Sequence, residues 1–335
     1  MENEVITMAH GAGGSLSQAL VEEYILPEFG NPLLNELHDG ATVELTGRTA
    51  FTTDSYVVKP LFFPGGNIGK LAVCGTVNDL SMTGAVPRYL SMGLILEEGF
   101  RLAELKQILH TMKLAAEEAG VYIVTGDTKV VGRGAADGIF INTAGIGDIL
   151  PGVAISPRHV QPGMDVLLSG FIGDHAATVM AARHGLELPE TIQSDCAPLC
   201  GLTRAMLTAA PGIAVLRDPT RGGIAASLNE IAQQSGTGIL LEEEALPIRP
   251  EVQGVCDILG FDPLYLANEG KLLAFTRAED TEKVLAAMRG NVYGTDARCI
   301  GRVTAEAAGQ VGLRTALGGI RIVDMPLGTL VPRIC

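Results

Sequence analysis

The amino-acid sequence predicts an α/β (α+β layered) protein made of two domains. Segments rich in β-branched residues alternate with amphipathic segments along most of the chain, which is typical of sheets covered by helices. The 335 residues are 47% hydrophobic, which is enough to bury a core in each domain. The 42 glycines are spread among apolar segments, so they indicate many tight turns between short elements.

The first half of the chain predicts a sheet with two helices. Strands are expected at residues 49–58, 89–96, 121–131 and 139–148, and helices at 67–85 and 101–119. The second helix has the clearest pattern, because one of its faces carries Leu102, Leu105, Leu109, Met112 and Ala116. The first strand is expected to end on a turn that carries Asp54, and the third to run into a turn at Gly126 and Asp127.

The second half of the chain repeats this alternation. It predicts strands at 165–169, 213–217 and 264–275, helices near 174–184, 198–210, 222–235 and 279–289, and short strands to about residue 323. A stretch rich in Pro and Gly separates the halves. We therefore predict an N-terminal domain at 1–154, a C-terminal α/β domain at 155–324 and a flexible tail at 325–335.

The charge of the chain excludes several functions. It has 38 acidic and 24 basic side chains, a net charge of −14, which argues against binding to nucleic acid or to an anionic membrane. The N-terminus lacks the pattern of a signal peptide, and no apolar run is long enough for a membrane span. The six cysteines form no CxxC pair, so a zinc site at Cys196 and Cys200 has little support and a reducing cytoplasm is expected.

Four aspartates lie at or near the ends of apolar segments: Asp54, Asp79, Asp127 and Asp218. A carboxylate beside a buried strand has to be hydrogen-bonded, paired or bound to a metal. In so acidic a chain, four such groups favour Mg²⁺ held together with substrate phosphates. The alternative is that each is a helix cap or a turn residue.

The N-terminal loop is rich in glycine, with the sequence His10, Gly11, Ala12, Gly13, Gly14, Ser15. Such a loop lets backbone N–H groups approach a phosphate, although a flexible linker explains it equally. It is neither a P-loop nor a Rossmann fingerprint.

Other polar residues leave alternatives open. Glu269 is expected in an apolar strand, where it is either functional or paired with Lys271. Lys129 is a surface counter-ion or a phosphate ligand, and His175 marks nothing more than the start of a helix. Cys335 at the end of an accessible tail is a candidate nucleophile or an incidental residue.

Taken together, several segments resemble the HypE family of hydrogenase maturation factors. The segments that carry the resemblance are FTTDSYVV, TVNDLSMTGAVP, TGDTKVV, RDPTRGG, NEGK and the terminal PRIC, and they extend over essentially the whole chain. The family belongs to the superfamily of aminoimidazole ribonucleotide synthetase, selenophosphate synthetase and thiamine-monophosphate kinase. The resemblance implies two α/β domains and a homodimer in which the N-terminal sheets pair.

The resemblance also implies an activity. Cys335 would receive a carbamoyl group from the partner HypF, and ATP would drive dehydration of the S-carboxamide to a thiocyanate, whose cyanide passes to iron on the HypC–HypD complex. ATP with Mg²⁺ would lie under the glycine-rich loop. Its binding residues would be His10, Gly11, Gly13, Gly14, Asp54, Asn78, Asp79, Asp127, Thr128 and Lys129. Lys129 would stand beside the transferred phosphoryl group, and Glu269 would be the base at the amide.

Two other functions remain as alternatives. One is a kinase or ATP-dependent ligase for a free metabolite, for which Cys335 would be dispensable. The other is a non-enzymatic adaptor that presents its tail to partners. Selenophosphate synthetase would need a reactive Cys and a Lys in the N-terminal loop, and this loop has neither.

Overall fold

The N-terminal part of the chain folds around a four-stranded sheet. The computed structural model describes residues 5–12, 14–38, 40–326, 328 and 334. The elements of this part are α1 (Ser15–Leu20), α2 (Leu26–Phe29), β1 (Thr49–Tyr56), β2 (Phe62–Phe63), β3 (Gly66–Asn67), α3 (Ile68–Met82), β4 (Ala85–Glu97), α4 (Leu102–Ala119), β5 (Tyr122–Val131) and β6 (Ile139–Ile149). The sheet has the order β1-β6-β4-β5, in which only β4 and β5 run parallel within the described chain.

Helices α3 and α4 cover one face of this sheet. The predicted apolar stripe of α4 is confirmed, because all five of its residues are buried. Helix α3 is buried on almost all sides, so it has little amphipathic pattern. It lies very close to β1, where a Cβ atom on Gly75 would collide with the hydroxyl of Tyr56.

The two turns predicted in the first half are wrong. Asp54 lies inside β1, where it pairs with Thr143 of β6, and Asp127 lies inside β5, where it pairs with Gly93 of β4. The strands continue past both carboxylates because their neighbours supply ladder partners, which outweighs the local turn preference of Gly and Asp.

The C-terminal part folds around a seven-stranded sheet. Its elements are β7 (Asp165–Leu168), α5 (Asp174–His184), α6 (Cys200–Ala209), β8 (Val215–Arg217), α7 (Gly223–Ser235), β9 (Gly238–Glu242), α8 (Pro250–Leu259), β10 (Leu273–Thr276), α9 (Thr281–Arg289), β11 (Arg298–Thr304), β12 (Val311–Arg314) and β13 (Ile320–Ile322). The order is β13-β12-β9-β11-β7-β10-β8, with β12 and β9 the parallel pair among the described strands. The predicted α/β class with α+β layering is therefore confirmed.

One predicted strand of the second half is mostly wrong. Of the expected strand at 264–275, only residues 273–275 belong to the sheet, as part of β10. Residues 268–272 form a loop, because the N–H groups of Glu269 and Gly270 donate to the carboxylate of Asp195 and not to a neighbouring strand. Elements β9 and α8 were not predicted; β9 is too short to show a clear periodicity.

The apolar core of the first domain extends into the second. It includes residues of α5 and α8 together with Ile334, whereas two further clusters line the two faces of the seven-stranded sheet. No helix in the described ranges is long and apolar enough to cross a membrane. Of the predicted tail, only Met325, Pro326, Gly328 and Ile334 are described, so its flexibility lies outside the described residues.

Candidate active site between the two domains

A cleft lies along the edge strand β5, beneath the N-terminal segment. Its volume is about 350 Å³, and its polar lining includes His10, Asp127, Thr128 and Lys129. Gly11 is needed there, since a Cβ atom on it would lie 2.8 Å from the backbone nitrogen of Val130. The structure thus brings together the predicted loop and the TGDTK segment.

The charges in this cleft are exposed and paired with each other. The ammonium of Lys129 lies 3.2 Å from the carboxylate of Asp127, and about two thirds of each side chain is exposed. Lys129 is thus a surface counter-ion in this structure. The same position leaves it open to a phosphate, so its predicted role at the phosphoryl group stays a prediction. Gly14 precedes α1 as its N-cap residue, and Gly13 lies outside the described residues.

Three of the four predicted metal-binding aspartates influence one another. Burial raises the pKa of Asp79, and the charge of Asp54 adds to this, while a 2.9 Å hydrogen bond from the Thr52 hydroxyl opposes it. Burial and the charge of Asp79 raise the pKa of Asp218 to about 7. Carboxylates whose charges raise the pKa of their neighbours are a suitable environment for a cation.

Asp127 is separate from these three. Cross-strand partners share a face of the sheet. Asp54 is the cross-strand partner of Thr143, whose buried hydroxyl donates to the carbonyl of Ala72 in α3, so Asp54 lies on the face that the helices cover. Asp127 is the partner of Gly93, which in turn pairs with the exposed Asn142, so Asp127 lies on the opposite face. Within the described chain, no group of three or more His, Cys, Asp or Glu side chains could hold a metal ion by itself. An ion at Asp54, Asp79 and Asp218 would therefore need phosphate oxygens to complete its coordination.

Asn78, one of the predicted ATP-binding residues, lies at the junction of the two domains. Its side chain is buried, and it donates to the carbonyl groups of Ala197 and Glu269 at 3.0 and 3.2 Å. It also accepts a hydrogen bond from the N–H of Leu199 at 2.8 Å. Asn78 therefore joins α3 of the first domain to two loops of the second, and this position gives no support to a nucleotide contact.

Glu269 lies in a buried polar centre between the domains. Its side chain is 3% exposed, and its Oε1 atom has no hydrogen-bond partner in the described chain. Burial raises its pKa well above the usual range, and the charges of Asp195, Asp218 and Asp54 raise it further. An unpartnered buried carboxyl is costly for stability, which favours a functional role.

The predicted alternative, a pair between Glu269 and Lys271, is not formed. Lys271 instead lies 3.3 Å from Asp195, in a pair whose side chains are 13% and 2% exposed. Sequence reasoning missed Asp195, which lies in a loop without a pattern. The glycine at position 270 was a local sign of a close backbone contact, because a Cβ atom there would collide with the backbone carbonyl of Asp195.

His175 was interpreted only as the start of a helix. Its Nδ1 atom lies 2.8 Å from the hydroxyl of Ser194, and its Nε2 atom lies 2.8 Å from the carbonyl oxygen of Ile334. The ring therefore connects the second domain to the penultimate residue of the sequence. Cys335 itself lies outside the described residues.

The chain is similar to known proteins over its whole length. The model of the AIR synthase related protein N-terminal domain matches residues 37–149, and that of the C-terminal domain matches residues 161–314. A carbamoyl dehydratase HypE from Rhodobacter capsulatus is 53% identical, with 100% of this chain and 99% of that protein covered.

Two solved structures are also similar. A hydrogenase maturation protein HypE in complex with ATP superposes with a TM-score of 0.95 and 49% identity, covering 98% of this chain and 99% of the other. A HypE–HypF complex superposes with a TM-score of 0.81 and 49% identity, covering 92% of this chain and 100% of the other.

Proposed function

Because the chain belongs to the AIR synthase related family and, within it, to the HypE carbamoyl dehydratases, we propose that it dehydrates an S-carboxamide on Cys335 to a thiocyanate with ATP. The full-length similarity to a named carbamoyl dehydratase is the observation that carries this proposal. The thiocyanate supplies the cyanide ligand for the iron site of a NiFe hydrogenase.

The reaction needs both a phosphoryl donor and a base. The amide oxygen attacks the γ-phosphorus of ATP and leaves later as phosphate, the two N–H protons are removed, and the C≡N bond forms. The products are the S-cyanated cysteine, ADP and phosphate, so the protein loses the elements of one water. A chain that lacks a proton acceptor near the amide would stop after phosphorylation.

Glu269 is our proposed base. A carboxylate whose pKa is raised by burial is a stronger base when ionised than an exposed one. Its unpartnered Oε1 atom is free to receive a proton. Two of the charges that raise its pKa, those of Asp218 and Asp54, belong to aspartates that we assign to the metal, so a bound cation favours the ionised form.

We propose that ATP binds along β5 in the cleft lined by His10, Gly11, Asp127, Thr128 and Lys129. Its volume of about 350 Å³ is within the usual range for small-molecule sites. The mutual repulsion of Asp54, Asp79 and Asp218 fits a hard cation such as Mg²⁺. When bound, Mg²⁺ would neutralise phosphate charge and so assist phosphoryl transfer.

We propose HypF as the source of the carbamoyl group, HypC–HypD as the acceptor of cyanide, and a homodimer as the working form. A relative at 49% identity has been solved as a HypE–HypF complex. The face of the four-stranded sheet opposite α3 and α4 carries Phe51 and Tyr122, which are 70% and 60% exposed and lie in one cross-strand row with Ile146 and Tyr89. An exposed apolar row on a sheet face favours pairing with a second copy. The expectation that the protein works in the cytoplasm stays a prediction.

Intact-mass measurement tests the proposed function. The chain is incubated with HypF, a carbamoyl donor and ATP, and Cys335→Ser is the control. We expect a gain of one carbamoyl group on the wild-type chain, followed by loss of one water only with ATP, and no change on the control. ATP turnover that survives Cys335→Ser would support the metabolite kinase or ligase, and absence of any ATP-dependent loss of mass would support the adaptor.

A further inference from the structure

We propose that His175 is a positioning residue, which holds the carbonyl group of Ile334 and so fixes the peptide group to which Cys335 is attached. The inference rests on the proposed function, because that function makes Cys335 the site of reaction. The bond from His175 Nε2 to this carbonyl oxygen is 2.8 Å long and connects residues 159 positions apart in the sequence. The carbonyl belongs to the peptide bond between Ile334 and Cys335, so few rotatable bonds separate it from the reacting sulfur.

The partners of the ring assign its tautomer. A carbonyl oxygen only accepts, so the proton is on Nε2 of His175. Burial lowers the pKa of the ring, which keeps it neutral and leaves Nδ1 as an acceptor. The Ser194 hydroxyl therefore donates to Nδ1, while its oxygen accepts from the N–H of Cys196 at 3.2 Å. In this series of three hydrogen bonds each donor points toward Ile334: Cys196 donates to Ser194, Ser194 to His175, and His175 to Ile334.

The packing around the ring prevents it from turning away. His175 has no exposed surface, and the ring of Phe63 meets it edge-on, with centroids 5.5 Å apart and planes at 86°. Ile334 is 3% exposed and belongs to the same apolar cluster as Phe63. The side chain of Ile334 therefore gives apolar contact, and the histidine supplies a directional bond to its backbone.

The loop that bonds to the ring of His175 also bonds to the backbone of Glu269. Ser194 bonds to the ring, and the next residue, Asp195, accepts hydrogen bonds from the N–H groups of Glu269 and Gly270 at 3.1 and 3.3 Å. Two consecutive residues, Ser194 and Asp195, thus link the group that holds Ile334 to the backbone of the proposed base. Through this link, the position of Ile334 is set relative to Glu269.

Four variants of the full chain separate positioning from a simple packing role. His175→Leu keeps an apolar side chain of similar size without a donor, His175→Gln keeps an N–H donor at its end, and Ser194→Ala removes the donor to Nδ1. Thr178→Val is the matched control, because Thr178 is buried on the same helix and its hydroxyl has no partner in the described chain.

Three quantities are measured for each variant: ATP affinity, single-turnover loss of water from carbamoylated protein at saturating ATP, and the rate of Cys335 alkylation before carbamoylation. For His175→Leu we expect water loss to slow about fivefold to tenfold, as for loss of one buried hydrogen bond, and alkylation to quicken by a similar factor. His175→Gln should recover much of both, Ser194→Ala should show a smaller defect, and ATP affinity and Thr178→Val should match the wild type.

Two results would overturn the inference. One is that His175→Leu dehydrates and alkylates as Thr178→Val does. The other is that ATP affinity falls with dehydration and His175→Gln rescues neither, which indicates a structural role. If the wild-type chain never loses water, the proposed function fails, and the alkylation rates still decide whether His175 holds the tail. If His175→Leu does not fold, Ser194→Ala and His175→Gln decide by the same comparison.

Discussion

Two acid–lysine pairs of similar length occupy opposite environments in this molecule. Asp127 and Lys129 lie 3.2 Å apart at the edge cleft with about two thirds of each side chain exposed, whereas Asp195 and Lys271 lie 3.3 Å apart with 2% and 13% exposed. In water the first pair is screened and contributes little to stability. The second has lost most of its solvation, so each charge depends on the other.

The comparison shows that the same spacing of an acid and a lysine gives different ion pairs in a strand and in a loop. GDTK and NEGK both place a lysine two residues after an acid. In a strand these two side chains share a face, as they do at Asp127 and Lys129. Residues 268–271 form a loop instead, so Lys271 bonds to a distant carboxylate and Glu269 is left without a cation. The edge pair suits an exchangeable phosphate, and the buried centre suits proton transfer.

The largest effect is expected for the base of the buried centre. Glu269→Gln should permit carbamoylation of Cys335 and ATP binding, but slow the loss of water by about 10²- to 10⁴-fold, since a general base contributes that much. Intact mass against time measures this. Dehydration at the wild-type rate would show that another group, such as a water held by the aspartates, takes the protons.

A second large effect is expected for the buried ion pair. Asp195→Asn leaves the ammonium of Lys271 buried without a counter-charge and should lower the free energy of unfolding by about 3–5 kcal/mol. Urea denaturation of both proteins measures the change. A loss below about 1 kcal/mol would mean that water reaches Lys271 and that the two pairs are not as different as their burial indicates.

The pH dependence of stability provides a third test of the buried centre. Because the pKa of Asp218 rises from 3.8 to about 7 on folding, the folded state holds its proton more tightly than the unfolded state. Its contribution to stability is therefore greatest at low pH and is lost as the pH rises from about 4 to 7. In Asp218→Asn the unfolding free energy should therefore fall by about 2 kcal/mol less than in the wild type over this pH range, a figure that allows for partial contact of Asp218 with solvent.

Unfolding free energies at pH 5 and pH 8 measure this difference. The control is Asp257→Asn, which removes an exposed carboxyl from α8. It should show the same difference between the two pH values as the wild type. Equal slopes for all three proteins would contradict a protonated Asp218 in the folded chain.

The smallest effect is expected at the edge pair. Asp127→Asn should change the free energy of unfolding by less than about 1 kcal/mol, because the pair is exposed. The same variant should weaken ATP binding in the presence of Mg²⁺, measured by calorimetry. A large loss of stability with unchanged ATP affinity would reverse the assignment of the two regions.

The fold could be predicted where the sequence has a local signal. Helix α4 shows its buried face through residues spaced at three and four, and the alternation of elements indicates the layers. Strands such as β4 and β6 were located to within a few residues. Their bounds depend on ladder partners that are distant in sequence, so the strand ends and the supposed turns at Asp54 and Asp127 could not be derived from local preference.

The candidate site could be predicted only in part, because its contacts are long-range. The cleft along β5 joins residues that are each conspicuous alone, such as His10 and Lys129. Glu269 was conspicuous as an acid in an apolar segment, but its true neighbour Asp195 has no local pattern. His175 is an ordinary helix-start residue by sequence, and its contact with Ile334 follows from the path of the chain. The predicted metal and catalytic roles stay predictions.

Asn78 has a consequence for recombining related proteins. Its amide donates two hydrogen bonds to backbone carbonyls of the other domain and accepts one from a backbone N–H. These bonds depend on the backbone positions of the two loops and not on their side chains. Chimeras that join residues 1–154 of one homologue to the remainder of another should tolerate wide differences in side chains at this junction. They should fail where an insertion or deletion near residues 197–199 moves those peptide groups out of reach, because a carboxylate, an alkyl group or a longer amide at position 78 cannot make the same three bonds.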